Sequence, residues 1–291
     1  MNDKLKFLFF GTGDFAVKIL DILHQNNLIP ELIITTPDKP KGRNLKLQPP
    51  PVKLWAEKNN IPYTTDYSRL TTDYNLFIIA DYGKIIPKKI LDIPKYGALN
   101  IHPSLLPKFR GPSPIQSFIL SGEKETGVTI ILMDEQVDHG PIVAISSLKP
   151  QISNLYYKEL EEKLAELGGE LLIKIIPDWI DGKIKLQEQK HSQATFTEKI
   201  AKEDGLINAG DLPEIIERKV RAFTPWPGAY SFADDKRIII TETELKNGKL
   251  AIKRIKPEGK NEMSFEDFLR GHPYFSTKGT KANPGKTSPS N

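Results

Sequence analysis

The sequence contains no cysteine. This absence excludes disulfide bonds, thiolate nucleophiles and cysteine-ligated zinc or iron–sulfur centres. The chain also lacks any run of the roughly 20 apolar residues that a transmembrane helix needs. The short apolar stretch near the N-terminus contains Lys6 and leads directly into Gly11, which is typical of a first β-strand and not of a signal peptide. We therefore expect a soluble, cytoplasmic, uncleaved protein.

Positive charge exceeds negative charge only slightly, and the net charge is +4. Residues 205–291 hold 15 Lys or Arg against 11 Asp or Glu, so the whole excess lies in the last third of the chain. A second local excess lies in residues 36–53, where five basic side chains accompany one acidic residue, Asp38. Two separated basic regions could contact a polyanion. Scattered solubilising lysines would give the same totals.

Short β-rich runs alternate with helical patterns through the first half of the chain. This alternation predicts βαβ units and an α/β fold with a mostly parallel sheet. Strands are predicted at residues 5–10, 32–35, 76–80, 98–101, 128–133 and 142–147. Helices are predicted at residues 14–25, 52–59, 87–91, 114–121 and 154–181, with Gly182 ending the last one.

Composition divides the chain into a first domain (residues 1–182), a polar linker (183–204), a small β-rich domain (205–276) and a disordered tail (277–291). The small domain is predicted to hold one helix at residues 212–223 and strands at residues 229–232, 237–243 and 250–255. A turn at Asn247-Gly248 separates the last two strands. The tail is rich in Lys, Gly, Pro, Ser and Thr.

A glycine motif, Gly11-Thr12-Gly13-Asp14-Phe15-Ala16, follows the first strand. It matches the G-x-G-x-x-A pattern of dinucleotide-binding folds, but that motif alone is a weak signal. The second strand ends at Thr35-Thr36-Pro37, without the acidic residue that would contact a ribose. We therefore favour a tight turn with Asp14 near a helix N-terminus.

The most informative residues are Asn100, His102 and Asp138. Asn100 and His102 are two apart at the end of a predicted strand, so their side chains should point to one face. Acyl transfer to an amine needs donors for an oxyanion and a group that accepts a proton from the attacking nitrogen. A carboxamide, an imidazole and an orienting carboxylate supply both without a metal. Alone, His102 could be a structural histidine and Asp138 a turn residue.

The remaining histidines give no metal-ligand spacing. His139 adjoins Asp138 but should point away from it, as an exposed loop residue. We therefore expect no metal site.

Longer motifs surround these residues and carry a family resemblance. The segments Asn100-Ile101-His102-Pro103-Ser104-Leu105-Leu106-Pro107 and Val137-Asp138-His139-Gly140-Pro141-Ile142 resemble the signature of the folate-dependent formyltransferases. Further similarity to the family's methionyl-tRNA branch occurs in the loop from Pro37 to Lys53, in Tyr82-Gly83-Lys84-Ile85-Ile86-Pro87, and in Arg221-Ala222-Phe223-Thr224-Pro225-Trp226-Pro227-Gly228-Ala229. Together the matching segments span about residues 5–275.

The resemblance implies a Rossmann-like formyltransferase domain followed by a small OB-like β-barrel. It implies transfer of a formyl group from 10-formyltetrahydrofolate to the α-amine of methionyl initiator tRNA by a monomer. The catalytic residues would be Asn100, His102 and Asp138. Those lining the folate pocket would be Ser104, Leu105, Leu106, Pro107, Ala80, Asp81, Tyr82, Met133 and Val137. Those contacting tRNA would be Lys39, Lys41, Arg43 and Lys46, together with the basic second domain.

Three positions depart from the family pattern. Gly13 replaces a common proline, Asp81 replaces a small residue, and His139 replaces a common threonine. Asp81 would place a carboxylate beside the pterin pocket and could alter folate affinity.

Three other functions compete with this hypothesis. An amino-sugar nucleotide formyltransferase would keep the same core with another acceptor. An RNA-binding module with an inactive core would need only the basic regions. A nicotinamide-dependent oxidoreductase would need the glycine motif.

Overall fold

The computed structural model describes residues 5–41, 45–68, 70, 73–148, 154–208, 210–233 and 235–272. These residues form two compact units. The first unit takes the described parts of residues 1–115, 123–153 and 159–198. The second takes the described parts of residues 116–122, 154–158 and 199–291. The predicted tail, residues 277–291, lies outside the described residues.

Nine strands are described in the first unit. They are β1 (Phe7–Gly11), β2 (Leu32–Ile34), β3 (Lys39–Lys41), β4 (Lys46–Gln48), β5 (Tyr63–Thr64), β6 (Leu76–Ala80), β7 (Ala98–His102), β8 (Thr126–Leu132) and β9 (Ile142–Leu148). Strands β3 and β4 form a separate hairpin. The other seven form one sheet in the order β5-β2-β1-β6-β7-β8-β9.

The sheet is parallel from β5 to β7 and antiparallel from β7 to β9. The predicted mostly parallel α/β sheet is therefore confirmed. Every residue of β1 and β6 is buried, as expected for strands covered on both faces. Alternate residues divide between two faces. The face with Leu8, Phe10 and Ala98 carries an apolar cluster that also includes Phe77 and Ile90.

Five helices follow the strands closely. They are α1 (Asp14–Gln25), α2 (Pro51–Lys58), α3 (Lys88–Leu91), α4 (Pro114–Ser121) and α5 (Tyr157–Ile180). In α5, Gly168 and Gly169 leave space for Ile101 and Ile22, because a Cβ on either glycine would lie within 3.0 Å of those side chains. The predicted stop after α5 is confirmed, since Gly182 has φ +67° and accommodates the left-handed backbone that often ends a helix.

Besides most of α4, the second unit contains α6 (Pro213–Phe223), β10 (Ala229–Ala233), β11 (Lys236–Lys246), β12 (Lys249–Pro257), β13 (Met263–Ser264) and α7 (Phe265–Gly271). Its strands form an antiparallel sheet in the order β10-β11-β12-β13. The predicted Asn247-Gly248 turn joins β11 and β12, and both residues have positive φ, as such hairpin turns require. Among the described residues, no pairing joins the edge strands β10 and β13 into a closed barrel.

The segment predicted as a linker, residues 183–204, differs from that expectation. Residues 183–198 belong to the first unit. Gln187 exchanges backbone hydrogen bonds with Ile142, and Thr195 and Thr197 exchange them with the segment around Arg110. The polar composition of this segment reflects its contacts with the candidate site, described below. Within the described chain, no helix combines the length and the apolar character that crossing a membrane requires.

Candidate active site

The structure brings Asn100, His102 and Asp138 together. Asn100 and His102 lie on one face of β7, and the loop between β8 and β9 carries Asp138 to that face. The Asn100 side-chain amide donates to Asp138 Oδ1 at 3.1 Å. The backbone N–H of Gly111 donates to Asp138 Oδ2 at 2.8 Å, and His102 Nδ1 lies 3.5 Å from the same oxygen. One carboxylate therefore orients both of the other side chains.

The surroundings of His102 determine which ring nitrogen donates a hydrogen bond to the backbone. The ring is only 4% exposed, and Nε2 lies 2.9 Å from the backbone oxygen of Phe109. A carbonyl oxygen can only accept, so Nε2 carries the proton of this bond. The nitrogen that faces Asp138 and the reaction space is therefore Nδ1.

The predicted folate turn, Ser104 to Pro107, is held by its own hydrogen bonds. Ser104 Oγ donates to the backbone oxygen of Lys108 at 2.7 Å. Thr129 Oγ1 donates to the backbone oxygen of Ser104 and accepts from the backbone N–H of Leu106. The side chains of Ser104 and Leu106 are buried, and Leu106 packs in a small core cluster. The half-buried Leu105 and Pro107 are the more accessible side chains of this turn.

The other predicted folate residues follow β6 and β8. Ala80 is buried at the end of β6, and Asp81 has φ +46°. Tyr82 packs edge-on against Phe10, and its hydroxyl is buried without a hydrogen-bond partner. Burial raises the pKa of Tyr82 to about 12, with a smaller contribution from Tyr67. Val137, by contrast, is 57% exposed.

Met133 has a different setting. It packs beside the apolar cluster of the parallel sheet and also lines a cavity of about 530 Å³. That cavity lies near the beginning of β7 and includes Tyr96, Ala98 and Trp179. Asn100, His102 and Asp138 are not part of its lining.

Two buried residues of the site received no role from the sequence, namely Arg110 and Gln189. Gln189 Oε1 accepts from Arg110 Nε at 3.2 Å and from Nη2 at 2.6 Å. Gln189 Nε2 donates to the backbone oxygens of Asp138 and Gly140 at 2.9 and 2.7 Å. Burial lowers the pKa of the Arg110 guanidinium, and the carboxylates of Asp138 and Asp134 oppose that shift.

Nothing in the sequence separates Gln189 from the other polar residues around it, because its partners are distant in the chain. Its local composition is that of a linker. Only the folded structure brings it beneath the turn that presents Asp138.

His139 differs from the exposed loop residue that the sequence suggested. It is half-buried, and its Nδ1 donates to Asp134 Oδ2 at 2.6 Å. Its ring stacks on that of His191, with centroids 4.1 Å apart. Arg110 Nη2 donates to His191 Nδ1 at 2.9 Å. His139, which departs from the family pattern, is thus linked through His191 to Arg110.

The predicted tRNA-contacting residues lie on the hairpin of β3 and β4. Lys39 and Lys46 are exposed, and the backbone register pairs Lys41 with Lys46. Arg43 lies outside the described residues. At the base of the loop, Lys53 Nζ contacts Asp38 Oδ1 at 2.8 Å. This hydrogen bond is the main cause that raises the pKa of Lys53.

The described residues contain no cluster of side chains suited to binding a metal ion. No group of three or more His, Asp or Glu side chains there is arranged to hold an ion. The candidate site itself offers hydrogen-bond donors, one carboxylate and one imidazole.

Comparison with known proteins agrees with this geometry. Residues 3–176 match the family described as formyl transferase, and residues 199–251 match the formyl transferase C-terminal domain. The methionyl-tRNA formyltransferase of Thermotoga maritima is 40% identical over 240 residues, covering 78% of this chain and 75% of the relative. That of Citrifermentans bemidjiense is 33% identical and covers 92% of this chain and 94% of the relative.

Solved structures show the same fold. Methionyl-tRNA formyltransferase from Clostridium thermocellum superposes with a TM-score of 0.60 at 18% identity, covering 87% of this chain and 99% of that one. An N-formyltransferase from Helicobacter canadensis, in complex with folinic acid and dTDP-3-aminofucose, gives 0.63 at 20% identity, covering 84% and 89%. These two structures share the fold, and the family model with the sequence relatives shows that the chain belongs to the methionyl-tRNA formyltransferase family.

Proposed function

We propose that this chain transfers the formyl group of 10-formyltetrahydrofolate to the α-amino group of methionyl initiator tRNA, and so prepares that tRNA for translation initiation. The observation that carries the proposal is the contact of Asp138 with both Asn100 and His102. Two hydrogen-bond donors and one proton acceptor lie together in this arrangement, and the proposed amine acylation needs both kinds of group.

The proposed reaction exchanges one bond for another. The formyl-folate substrate supplies the carbon that becomes bonded to the acceptor amine, while the bond from that carbon to folate N10 breaks and one proton passes from the amine to N10. The Asn100 amide donates one hydrogen to Asp138 and can direct the other at the oxyanion. A protonated His102 donates to the same oxyanion from Nδ1. Removing one such donor typically lowers turnover about a hundredfold to a thousandfold.

Asp138 has the two remaining roles. It holds Asn100 and His102 in place, and its carboxylate receives the amine's proton for delivery to the departing nitrogen. The backbone N–H of Gly111 stabilises the charged form of the carboxylate, because it donates to Oδ2. In this scheme, every proton step involves residues within one unit.

The folate assignment rests on residues after β6 and β8. The exposed apolar Val137 and the unpartnered Tyr82 hydroxyl support a pocket that an aromatic, polar ring system would complete. We assign Ala80, Asp81, Tyr82, Met133, Val137 and the turn from Ser104 to Pro107 to this pocket.

The acceptor assignment rests on the basic hairpin and the second unit. Lys39 and Lys46 are exposed on a short two-stranded hairpin, where they can contact phosphates. We include Lys41 and Arg43 in this contact surface, and we place the flank of the tRNA against the second unit. The proposed protein acts as a cytoplasmic monomer, and light scattering of the purified chain tests the monomer.

The reaction is tested by incubating the protein with 10-formyltetrahydrofolate labelled in the formyl group, together with methionyl initiator tRNA or an amino-sugar nucleotide. Label should appear on the methionyl tRNA. His102→Ala should lower the rate of labelling about a hundredfold to a thousandfold, whereas His24→Ala, which changes an exposed histidine on α1, should leave the rate unchanged. Label on the sugar alone would overturn the acceptor, and label on neither would favour an RNA-binding protein without activity.

A further inference from the structure

The Arg110 guanidinium contacts two rings, those of His191 and Phe196, and a third ring, that of His139, stacks on His191. His191 accepts a hydrogen bond from Arg110 and stacks on His139 with an interplanar angle of 8°. On another side, the Arg110 guanidinium carbon lies 6.0 Å from the centroid of Phe196. We call these four residues the Arg110 ring cluster.

The cluster is firmly anchored. Arg110 is buried, and Gln189 accepts two hydrogen bonds from its guanidinium. The backbone of Arg110 accepts from Thr197 and donates to Thr195, so both neighbours of Phe196 are bonded to the same residue. The position of the Phe196 ring is therefore set by backbone pairing on one side and by a fixed cation on the other.

Phe196 is nevertheless 71% exposed, and His191 is exposed beside it. Single exposed aromatic residues are common on protein surfaces. The position of this one is unusual, because it is bridged to Arg110, and the next residue, Gly111, donates directly to Asp138. The backbone of Phe196 thus pairs with the residue that precedes Gly111, whose N–H donates to the candidate catalytic carboxylate.

We propose that Phe196, held by Arg110, is a stacking platform for the unpaired 3′-terminal base of the acceptor RNA. The inference rests on the proposed function and extends it to a named contact. The aminoacyl ester is attached to the terminal ribose, so the terminal base must lie close to the amine that reaches Asn100. Unpaired RNA bases bind proteins by stacking on aromatic rings, and the exposed ring of Phe196 offers such a face, with the buried Arg110 behind it.

The proposed platform should affect binding of the tRNA and not the chemical step. The described contacts of Phe196 are with Arg110 and not with Asn100 or His102. Replacing the Phe196 side chain should therefore leave the reacting groups in place. Loss of one stacked base typically weakens binding roughly five- to hundredfold. The KM for methionyl tRNA should therefore rise by that factor, with kcat and the KM for the formyl donor nearly unchanged.

The experiment uses the full chain and initiator tRNA whose terminal adenosine is replaced by 2-aminopurine, a fluorescent base that is quenched when it stacks. Wild type and Phe196→Tyr should quench the emission. Phe196→Leu should bind the tRNA without quenching it. Ile29→Ala is the control, since Ile29 is an exposed apolar residue between α1 and β2, outside the proposed RNA contact surface.

Equal quenching by wild type and Phe196→Leu would overturn the platform. A raised KM with unaltered quenching would also overturn it, and would assign Phe196 to the methionyl side chain instead. Failure of the wild type to formylate methionyl tRNA would overturn the proposed function, and the quenching comparison would still decide whether Phe196 receives an RNA base.

Discussion

Gln189 donates its side-chain amide to the backbone oxygen of Asp138, a residue 51 positions earlier in the chain. The same amide group bonds the oxygen of Gly140, and the amide oxygen accepts from Arg110. Because Gln189 is only 4% exposed, water cannot readily replace these bonds. Gln189 is thus a positioning residue for the turn that carries the candidate catalytic carboxylate.

Replacement of Gln189 should separate positioning from general stability. We expect Gln189→Ala to lower kcat by up to about a hundredfold, because a small displacement of a catalytic group has effects of that size. Gln189→Glu keeps an acceptor for Arg110 but cannot donate to Asp138 and Gly140, so it should also lose turnover. Gln187→Ala is the control, since Gln187 is exposed and pairs through its backbone.

Steady-state kinetics and urea unfolding measured together decide this prediction. Full turnover in Gln189→Glu would show that only the contact with Arg110 matters. A loss of stability without a fall in kcat of the folded fraction would make Gln189 purely structural.

Gly13 and Asp81, two departures from the family pattern, are coupled. A Cβ at residue 13 would collide with the carboxylate of Asp81, and the nearest atoms to that Cβ all belong to Asp81. We expect Gly13→Ala to destabilise the protein by about 1 kcal/mol. In an Asp81→Gly background the same change should have almost no effect, since the obstructing side chain is gone.

A double-mutant cycle in urea measures this coupling. Asp81→Gly alone should be tolerated, because glycine adopts the positive φ of that residue without strain. Additive free energies in the cycle would contradict the coupling. The KM for the formyl donor, measured for Asp81→Gly, tests whether the carboxylate affects folate binding.

Asp211 should make the second unit sensitive to acid. Burial alone would raise the pKa of its carboxyl, but hydrogen bonds from Lys219 and Asn208 outweigh burial and hold the pKa below its ordinary value. A depressed folded pKa gives stability that is fully present above the ordinary carboxyl pKa of about 4. This stability is lost as the pH falls through the folded value.

Asp211→Asn should therefore destabilise the protein at pH 7 by about 1 to 2 kcal/mol. The difference from wild type should shrink as the pH falls below about 4. Denaturant unfolding at several pH values measures it, with Asp204→Asn, an exposed residue of the same unit, as control. A difference that stays constant with pH would contradict the ionic origin of the effect.

The hairpin lysines should contribute to the salt dependence of tRNA binding. Replacing Lys39 or Lys46 with alanine should weaken binding and reduce the slope of log affinity against log salt by about one for each phosphate that the protein no longer neutralises. Lys174→Ala, on the exposed side of α5, should change neither quantity. Unchanged slopes in both hairpin variants would remove the hairpin from the RNA contact surface.

The sequence predicted the main elements well where a local pattern was strong. The runs at β1 and β6 are nearly continuous apolar segments, and α1 and α5 show helical spacing. It missed β3, β4, β5, β13 and α7, which are short and carry little periodicity. It also could not give the antiparallel direction of β8 and β9, because strand direction depends on tertiary pairing.

For the site, residue type and spacing predicted Asn100, His102 and Asp138, which the structure brings together, because alternation along a strand is local and Asp138 lies in a recognisable motif. The sequence by itself also determined the family. Only the tertiary structure decided that His102 Nε2 bonds the backbone oxygen of Phe109 and that His139 stacks on His191. It also decided that the segment predicted as a linker supplies Gln189 and Phe196. These contacts join residues far apart in the chain, and their geometry exists only once the chain has folded.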